Sequence, residues 1–449
     1  MKSKKYKFID LFAGLGGFHF ALSELGHECV FASELREDLR RLYTINFPGT
    51  RVEGDITKIK PENIPAHDIL CAGFPCQPFS QAGKRQGFND EGRGNLFYNI
   101  CAIIDEHHPK YVFLENVANL KGHDNGNTWA TIEQMLKDRQ YGVTERILSP
   151  HQFGIPQHRK RIYIVGVRKD IGSIDDFHFP EPPPAKNCDI NKILDVEETN
   201  FIPIKKETRI QLSLWQEFID QTIKHGQSIP RFPIWAMEFG ANYEFKEVAP
   251  AFQTCEKLRG KSGHLGLPVE GNNKRQLLKC LPIYAQTDKS KVFPRWKIRY
   301  IEQNREFYDK NKKWLKPWIA KVRNFENSHL KFEWNCGDNV EPTIYDKIIQ
   351  FRASGIRVKL PTFSPALNLV GTQIPIIPWI KLPRKCLKSG EPEYGRYMTR
   401  DEAAKLQGMM KLKFGNDHFA LSMTRSFEAL GNAVNVTIVK HIAKNLIKT

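Results

Sequence analysis

A chain of 449 residues is longer than one hydrophobic core usually serves, which predicts two domains or one domain carrying an insertion. Its 67 Lys+Arg against 50 Asp+Glu leave a formal charge of +17, which favours a polyanionic partner, nucleic acid first, over an acidic protein or a neutral metabolite. Nine scattered cysteines with no C-x-x-C pair argue against a zinc cluster or disulfide scaffold and fit a reducing compartment, and no apolar run approaches the roughly 18 residues that span a bilayer.

Residues 7 to 170 alternate short apolar runs with amphipathic segments, the rhythm of a parallel sheet wrapped by helices. KFIDLFAG, HECVFASE, HDILCAGF, KYVFLENV and KRIYIVGV read as strands, with GFHFALSELG, DLRRLYTINF, LFYNICAIIDEHH and TWATIEQMLKD as the helices between them. The first strand runs into a glycine-dense turn, Phe12 to Gly17, whose backbone can approach a ligand closely. Taken alone, it is equally a tight strand-to-helix turn. Glu34 ends the second strand, where a carboxylate commonly binds ribose hydroxyls, and Asp55 follows a stretch leading toward a third. Either acid alone reads as readily as a solvated loop residue. No Walker-type lysine follows the glycines, which argues against a triphosphate.

In GFPCQPFSQ, residues 73 to 81, prolines on both sides of Cys76 argue against helix and central strand, so the thiol sits in a rigid loop. A nucleophilic cysteine needs thiolate character, access and a partner that handles the proton. Glu115 in FLENV, where another apolar strand ends, is the candidate partner, and Asn116 can brace the turn. A lone buried cysteine is otherwise more often a packing residue.

The rhythm breaks at FHFPEPPPAKN, residues 177 to 187, and a domain boundary is expected there. From 188 to 385 the text is irregular and rich in Lys, Arg, Pro and aromatics. Residues 289 to 324 hold twelve Lys/Arg against three acids with seven aromatics interleaved, part helical face on a core and part phosphate-tracking surface. TRDEAAKLQGM then opens a helix on Thr399 with Glu402 three residues on, a capping box, and NVTIVKHIAKNLIK closes the chain as another amphipathic helix.

FAGLGG at 12 to 17, the PCQ loop at 75 to 77, RGNLF at 93 to 97, ENV at 115 to 117, QHRKR at 157 to 161, RYMTRDEAAKLQG at 396 to 408 and GNAVNV at 431 to 436 follow the order of one family. In these motifs the chain resembles the DNA cytosine-5 methyltransferases of bacterial restriction-modification systems. The resemblance implies an α/β, Rossmann-like domain dependent on S-adenosyl-L-methionine, with a mostly parallel seven-stranded sheet and an inserted smaller target-recognition domain. Its first part would span 1–180, the insertion 181–388, and the return with the C-terminal helix 389–449.

The cofactor is then expected over Phe12, Ala13, Gly14, Leu15, Gly16 and Gly17, with its ribose on Glu34 beside Leu35 and its adenine at Asp55 and Ile56. Pro75, Leu96, Asn432, Ala433 and Val434 would complete the pocket; the product is S-adenosyl-L-homocysteine, and no metal is implied. The implied chemistry is thiolate addition of Cys76 to C6 of a cytosine flipped out of duplex DNA, with Glu115 at N3 and the exocyclic amine. Arg161 would hold the flipped base and orient the catalytic loop, with Arg159 close by for base or backbone contact, and Ser80, Lys84, Arg85 and Arg93 belong to an expected lid over DNA, residues 80 to 95. Arg352 and Arg357 are candidates for guanine contacts, not separable in sequence from phosphate binders.

The expected partners are double-stranded DNA and a companion restriction endonuclease, the chain acting as a monomer in the bacterial cytoplasm. The rival readings are a tRNA cytosine-5 methyltransferase, disfavoured by the long insertion, and a catalytically silent DNA-binding protein, disfavoured by the thiol in its proline-locked loop.

Overall fold

The computed structural model describes residues 4–75, 96–183, 188–287, 290–367, 373–387 and 389–447, so Cys76, Ser80, Lys84, Arg85 and Arg93 lie outside the described residues. The chain divides into two compact units, one of Met1–Asp195, Thr362–Thr372 and Thr399–Thr449, the other of Val196–Pro361 and Gln373–Met398. These limits differ from the expected ones: 181–195 and 362–372 group with the first unit, and 389–398 with the second. The prolines break the rhythm, but the chain beyond them stays anchored to the first unit. Asp195 N donates to Glu402 Oε1 (2.8 Å) and Lys405 Nζ to the Ile193 carbonyl (3.2 Å), while Ile190 is buried.

In the first unit, β1 (Lys7–Leu11), β2 (Glu28–Ser33), β3 (Val52–Glu53), β4 (Ile69–Gly73), β5 (Tyr111–Val117), β6 (Tyr141–Leu148) and β7 (Arg161–Arg168) form one sheet in the order β3-β2-β1-β4-β5-β7-β6. The pairs from β3 through β5 are parallel, and β7 runs antiparallel to both its neighbours. The mostly parallel, seven-stranded α/β fold is therefore present. β4 and β5 are apolar and buried nearly throughout because helices cover both faces of a parallel sheet. The strand β6 escaped the sequence reading: YGVTERIL is the outermost strand, mostly half-buried, and its Thr, Glu and Arg blur the apolar pattern.

Strand order reverses direction at β1, so the carboxyl ends of β1, β2, β4 and β5 border the crevice where such sheets bind ligands. The capping box is formed: Glu402 N donates to Thr399 Oγ1 (3.2 Å) and Thr399 N to Glu402 Oε2 (2.9 Å). The last helix, Val436–Leu446, is capped by Asn435 and packs against the helix Gly17–Ser23 that follows β1, so both chain ends build this unit.

The second unit is far more regular than its sequence suggested. It holds β8 (Ile234–Trp235), β9 (Lys331–Asn335), β10 (Ile348–Arg352), β11 (Gly355–Lys359), β12 (Ile376–Lys381) and β13 (Tyr394–Tyr397) in the order β13-β12-β10-β11-β9-β8. Helices Lys206–Lys224 and Arg295–Val322 share its core. Trp215 stacks on Phe332 at 4.7 Å and meets Trp318 edge-on, and both indole N–H groups are satisfied by backbone carbonyls, of His329 and Leu214. Along the basic helix Ile301, Tyr308, Leu315 and Trp318 recur at helical spacing and are buried, as is Trp314, while Arg295, Arg299, Lys313 and Lys316 are exposed. Among the described residues no helix is long and apolar enough to cross a membrane.

Candidate active site

After β1 the backbone enters positive φ at Phe12, Gly14 and Gly16 (56°, 54° and 78°) before the helix starts. For Phe12 that conformation is uncommon, and it is held by its surroundings: Ala13 N donates to the Ser33 carbonyl (2.9 Å) and Gly14 N to Glu34 Oε2 (2.9 Å). Glu34 is buried at the end of β2, and its other oxygen accepts from Arg36 N (2.9 Å). Its carboxylate thus aligns the glycine turn. Leu35 beside it is 69% exposed, and Arg40 Nη1 donates to the carbonyls of Glu34 and Leu35 (2.8 and 2.6 Å).

Asp55 caps a short 3-10 turn, accepting from Thr57 N and Oγ1 (3.0 and 2.8 Å), and Ile56 behind it is buried. Pro75 and Asn432 are exposed, Leu96 is half-buried at the start of helix Leu96–His107, and Ala433 is buried. Val434 is the wedge between chain ends. A Cβ built on Gly17 would lie 2.5 Å from the Val434 carbonyl oxygen, and one on Gly73 would lie 3.1 Å from Val434 Cγ2. A backbone oxygen cannot step aside as a flexible side chain does. Gly17→Ala is therefore expected to push the C-terminal turn away, costing about 1–3 kcal/mol of stability, which thermal unfolding checks.

On the other side of the crevice, Glu115 lies in β5, two residues before its end, in register with Gly73 of β4 and Tyr163 of β7. It is buried, and burial raises its carboxyl above the usual glutamate range although Arg161 and Arg159 pull it down. Arg161 Nε lies 3.2 Å from Glu115 Oε1, close enough for an ion pair but not aligned as a hydrogen bond. Asn116 braces the turn: its Nδ2 donates to the Phe74 carbonyl (2.8 Å) and its Oδ1 accepts from Val117 N (2.8 Å). The last described residues before Cys76 are thus tied to the strand that carries Glu115.

The expected role of Arg159 is changed by its partners. Its guanidinium is buried and donates to the carbonyls of Gly431 (2.6 Å) and Ala433 (2.9 Å), so it is not offered to a base; burial and Arg161 lower it to about 10. Sequence reading also missed Tyr163, a buried residue whose phenol burial and Glu115 push upward. The missed signal was period 2: 159, 161 and 163 alternate onto one side of an extended segment. Three buried polar atoms without a hydrogen-bond partner meet in this group: Glu115 Oε1, Arg159 Nε and the Tyr163 hydroxyl. Buried polar atoms are normally paired, and such a set suits the polar edge of a ligand.

Arg352 and Arg357 belong to the second unit, and both turn to one carboxylate that sequence reading did not single out. Arg352 Nη2 lies 2.9 Å from Glu333 Oε1 and Arg357 Nε 3.1 Å from Glu333 Oε2. Glu333 and Arg357 are register partners of β9 and β11, a cross-strand pairing not legible until the strands are known. Among the described residues no group of His, Cys, Asp and Glu could hold a metal ion.

A family model described as C-5 cytosine-specific DNA methylase matches residues 6–448. The chain is 48% identical over 216 residues to the Type II methyltransferase M.HhaI of Haemophilus parahaemolyticus, a match covering 48% of this chain and 64% of that one. It is 46% identical over 232 residues to the Type II methyltransferase M.HpaII of Haemophilus parainfluenzae, covering 49% and 60%. A longer match, 29% identical over 521 aligned residues, joins it to the Type II methyltransferase M.AluI of Cellulosimicrobium cellulans and covers 99% and 92%. The chain spans less than two thirds of the length of the first two relatives.

Proposed function

The chain belongs to the C-5 cytosine-specific DNA methylase family, and on that premise we propose that it methylates C5 of a cytosine flipped out of duplex DNA. One observation supports this above the others. At the carboxyl edge of one sheet the glycine turn, Glu34, the Phe74–Pro75 approach to Cys76 and a buried Glu115 come together.

S-adenosyl-L-methionine is the cofactor on this reading; bound, it supplies a methyl group activated on a sulfonium, and that group ends on C5. The residues present fit it. The turn at Phe12 to Gly17 brings bare backbone to the crevice, Glu34 offers a carboxylate anchored by two backbone N–H groups, and Leu35, Pro75 and Asn432 are exposed. Gly17 leaves no room for a Cβ against the Val434 backbone and Gly73 only a tight fit against its side chain, so the cradle depends on the bareness of Gly17 above all.

Cys76 acts through its thiolate, adding to C6 so that the ring loses aromaticity and C5 becomes enamine-like. Glu115, whose carboxyl burial raises above the usual glutamate range, donates to N3 as charge develops there and accepts from the exocyclic amine. Arg161, next to that carboxyl group, holds the flipped base. Loss of the C5 proton and departure of the thiolate then restore the ring. Unstacking the base costs a few kcal/mol, offset by contacts to DNA.

Target recognition falls to the second unit, where base contact by Arg352 or Arg357 requires exchange of an ion pair with Glu333. Duplex DNA is the partner, the enzyme acts as a monomer, and a companion endonuclease fits the type II setting of its relatives. Methyl transfer from labelled cofactor to duplex DNA and to tRNA tests the proposal, with bisulfite sequencing to locate the product. Labelling of tRNA alone, or DNA binding with neither labelling nor an adduct on 5-fluorocytosine duplex, overturns it.

A further inference from the structure

Arg159 is one of the most deeply buried cations of the first unit, and the partners it has chosen are main-chain oxygens of the opposite chain end. Gly431 lies in the last turn of helix Met423–Asn432 and Ala433 just beyond it, where carbonyls have no intrahelical donor. A guanidinium there satisfies two of them at once and meets the negative end of the helix dipole. Its own backbone is held in turn, Arg159 N donating to Ser149 Oγ (3.0 Å). The turn it grips runs straight into Val434, whose carbonyl and side chain press on Gly17 and Gly73.

We propose that Arg159 is a positioning residue that latches the Gly431–Val434 turn onto the glycine turn and so sets cofactor affinity from the segment leading into β7. The inference rests on the methyltransferase reading. It moves Arg159 from the base side of the reaction, where its place in QHRKR had put it, to the donor side. The two roles make opposite demands on a lysine replacement. Lysine keeps the positive charge near Glu115 but is a point donor that cannot bridge two carbonyls in a fixed fork. If charge alone matters, lysine substitutes well; if the latch matters, it does not.

The test is calorimetric titration of S-adenosylhomocysteine into the full-length wild type, Arg159→Lys and Arg159→Met, with duplex DNA affinity, KM for each substrate and kcat measured alongside. Arg159→Lys is expected to weaken S-adenosylhomocysteine binding about tenfold, as loss of one charge-assisted bond predicts, and to raise KM for the cofactor. DNA affinity should stay within about twofold of wild type, a change of under half a kcal/mol. Arg159→Met should be weaker still. Where Arg159→Met fails to fold, Arg159→Lys carries the test together with hydrogen exchange, which should quicken at 431–436. Wild-type cofactor affinity in Arg159→Lys, or a loss confined to DNA, overturns the latch. Absence of binding by the wild type overturns the methyltransferase reading itself, and the latch with it.

Discussion

A Cys76→Ser enzyme is expected to transfer no methyl group to duplex DNA while binding S-adenosylhomocysteine as the unaltered chain does. Only a soft, readily ionised nucleophile adds to C6 of an aromatic ring near neutral pH, and a serine hydroxyl is neither soft nor ionised there. Among the described residues, neither of the two thiols nearest it in sequence is suited to replace it. Cys71 and Cys101, the other thiols nearest in sequence, are buried, and burial pushes Cys71 upward and Cys101 to about 12, which keeps both protonated. The hydrogen bond from Asn116 to the Phe74 carbonyl and the register of Gly73 with Glu115 do not involve the sulfur, so the site's frame should survive the change. Methyl incorporation and trapping on 5-fluorocytosine duplex measure the outcome. Turnover within tenfold of wild type, or an adduct formed by the serine enzyme, would refute covalent catalysis at this position.

Glu115→Gln should lower kcat by about 10²–10⁴-fold, the usual contribution of a positioned acid or base, with KM for the cofactor little changed. An amide can accept and donate hydrogen bonds but cannot release a proton to N3. The same substitution should leave a signature in stability. Because burial raises the Glu115 carboxyl above its unfolded value, the folded chain holds that proton more tightly than the unfolded chain does. Its stabilising contribution is present below the ordinary glutamate range and is lost as pH rises through the raised value. Glutamine has no such dependence, so the melting temperature of Glu115→Gln should gain on that of wild type as pH increases across this window. Thermal unfolding at a series of pH values reads it directly. A constant difference would mean that the neighbouring Arg161, 3.2 Å away, cancels the effect of burial, and a reversed trend that it outweighs burial.

The elements that sequence reading found are those written in local pattern. β1, β2, β4, β5 and β7 are apolar runs of strand length, the Phe12–Gly17 turn has glycine where φ is positive, and Thr399 with Glu402 spells its cap. Where local pattern weakens, the reading fails. An outermost strand such as β6 needs little apolar surface, and the strands of the second unit are short and, apart from the β10–β11 hairpin, separated by long excursions. The sheet they form is visible only once distant pieces have met.

By itself, then, the amino-acid order determined the α/β class and the crevice-lining turns, because both depend on backbone preferences spanning a few residues. Tertiary structure decided which polar groups spend their hydrogen bonds on one another. Arg159 reaches carbonyls 272 and 274 positions away, and Arg352 and Arg357 share Glu333 across neighbouring strands. A guanidinium carries the same donors in every sequence, and its role is set by whichever oxygen the folded chain brings within about 3 Å.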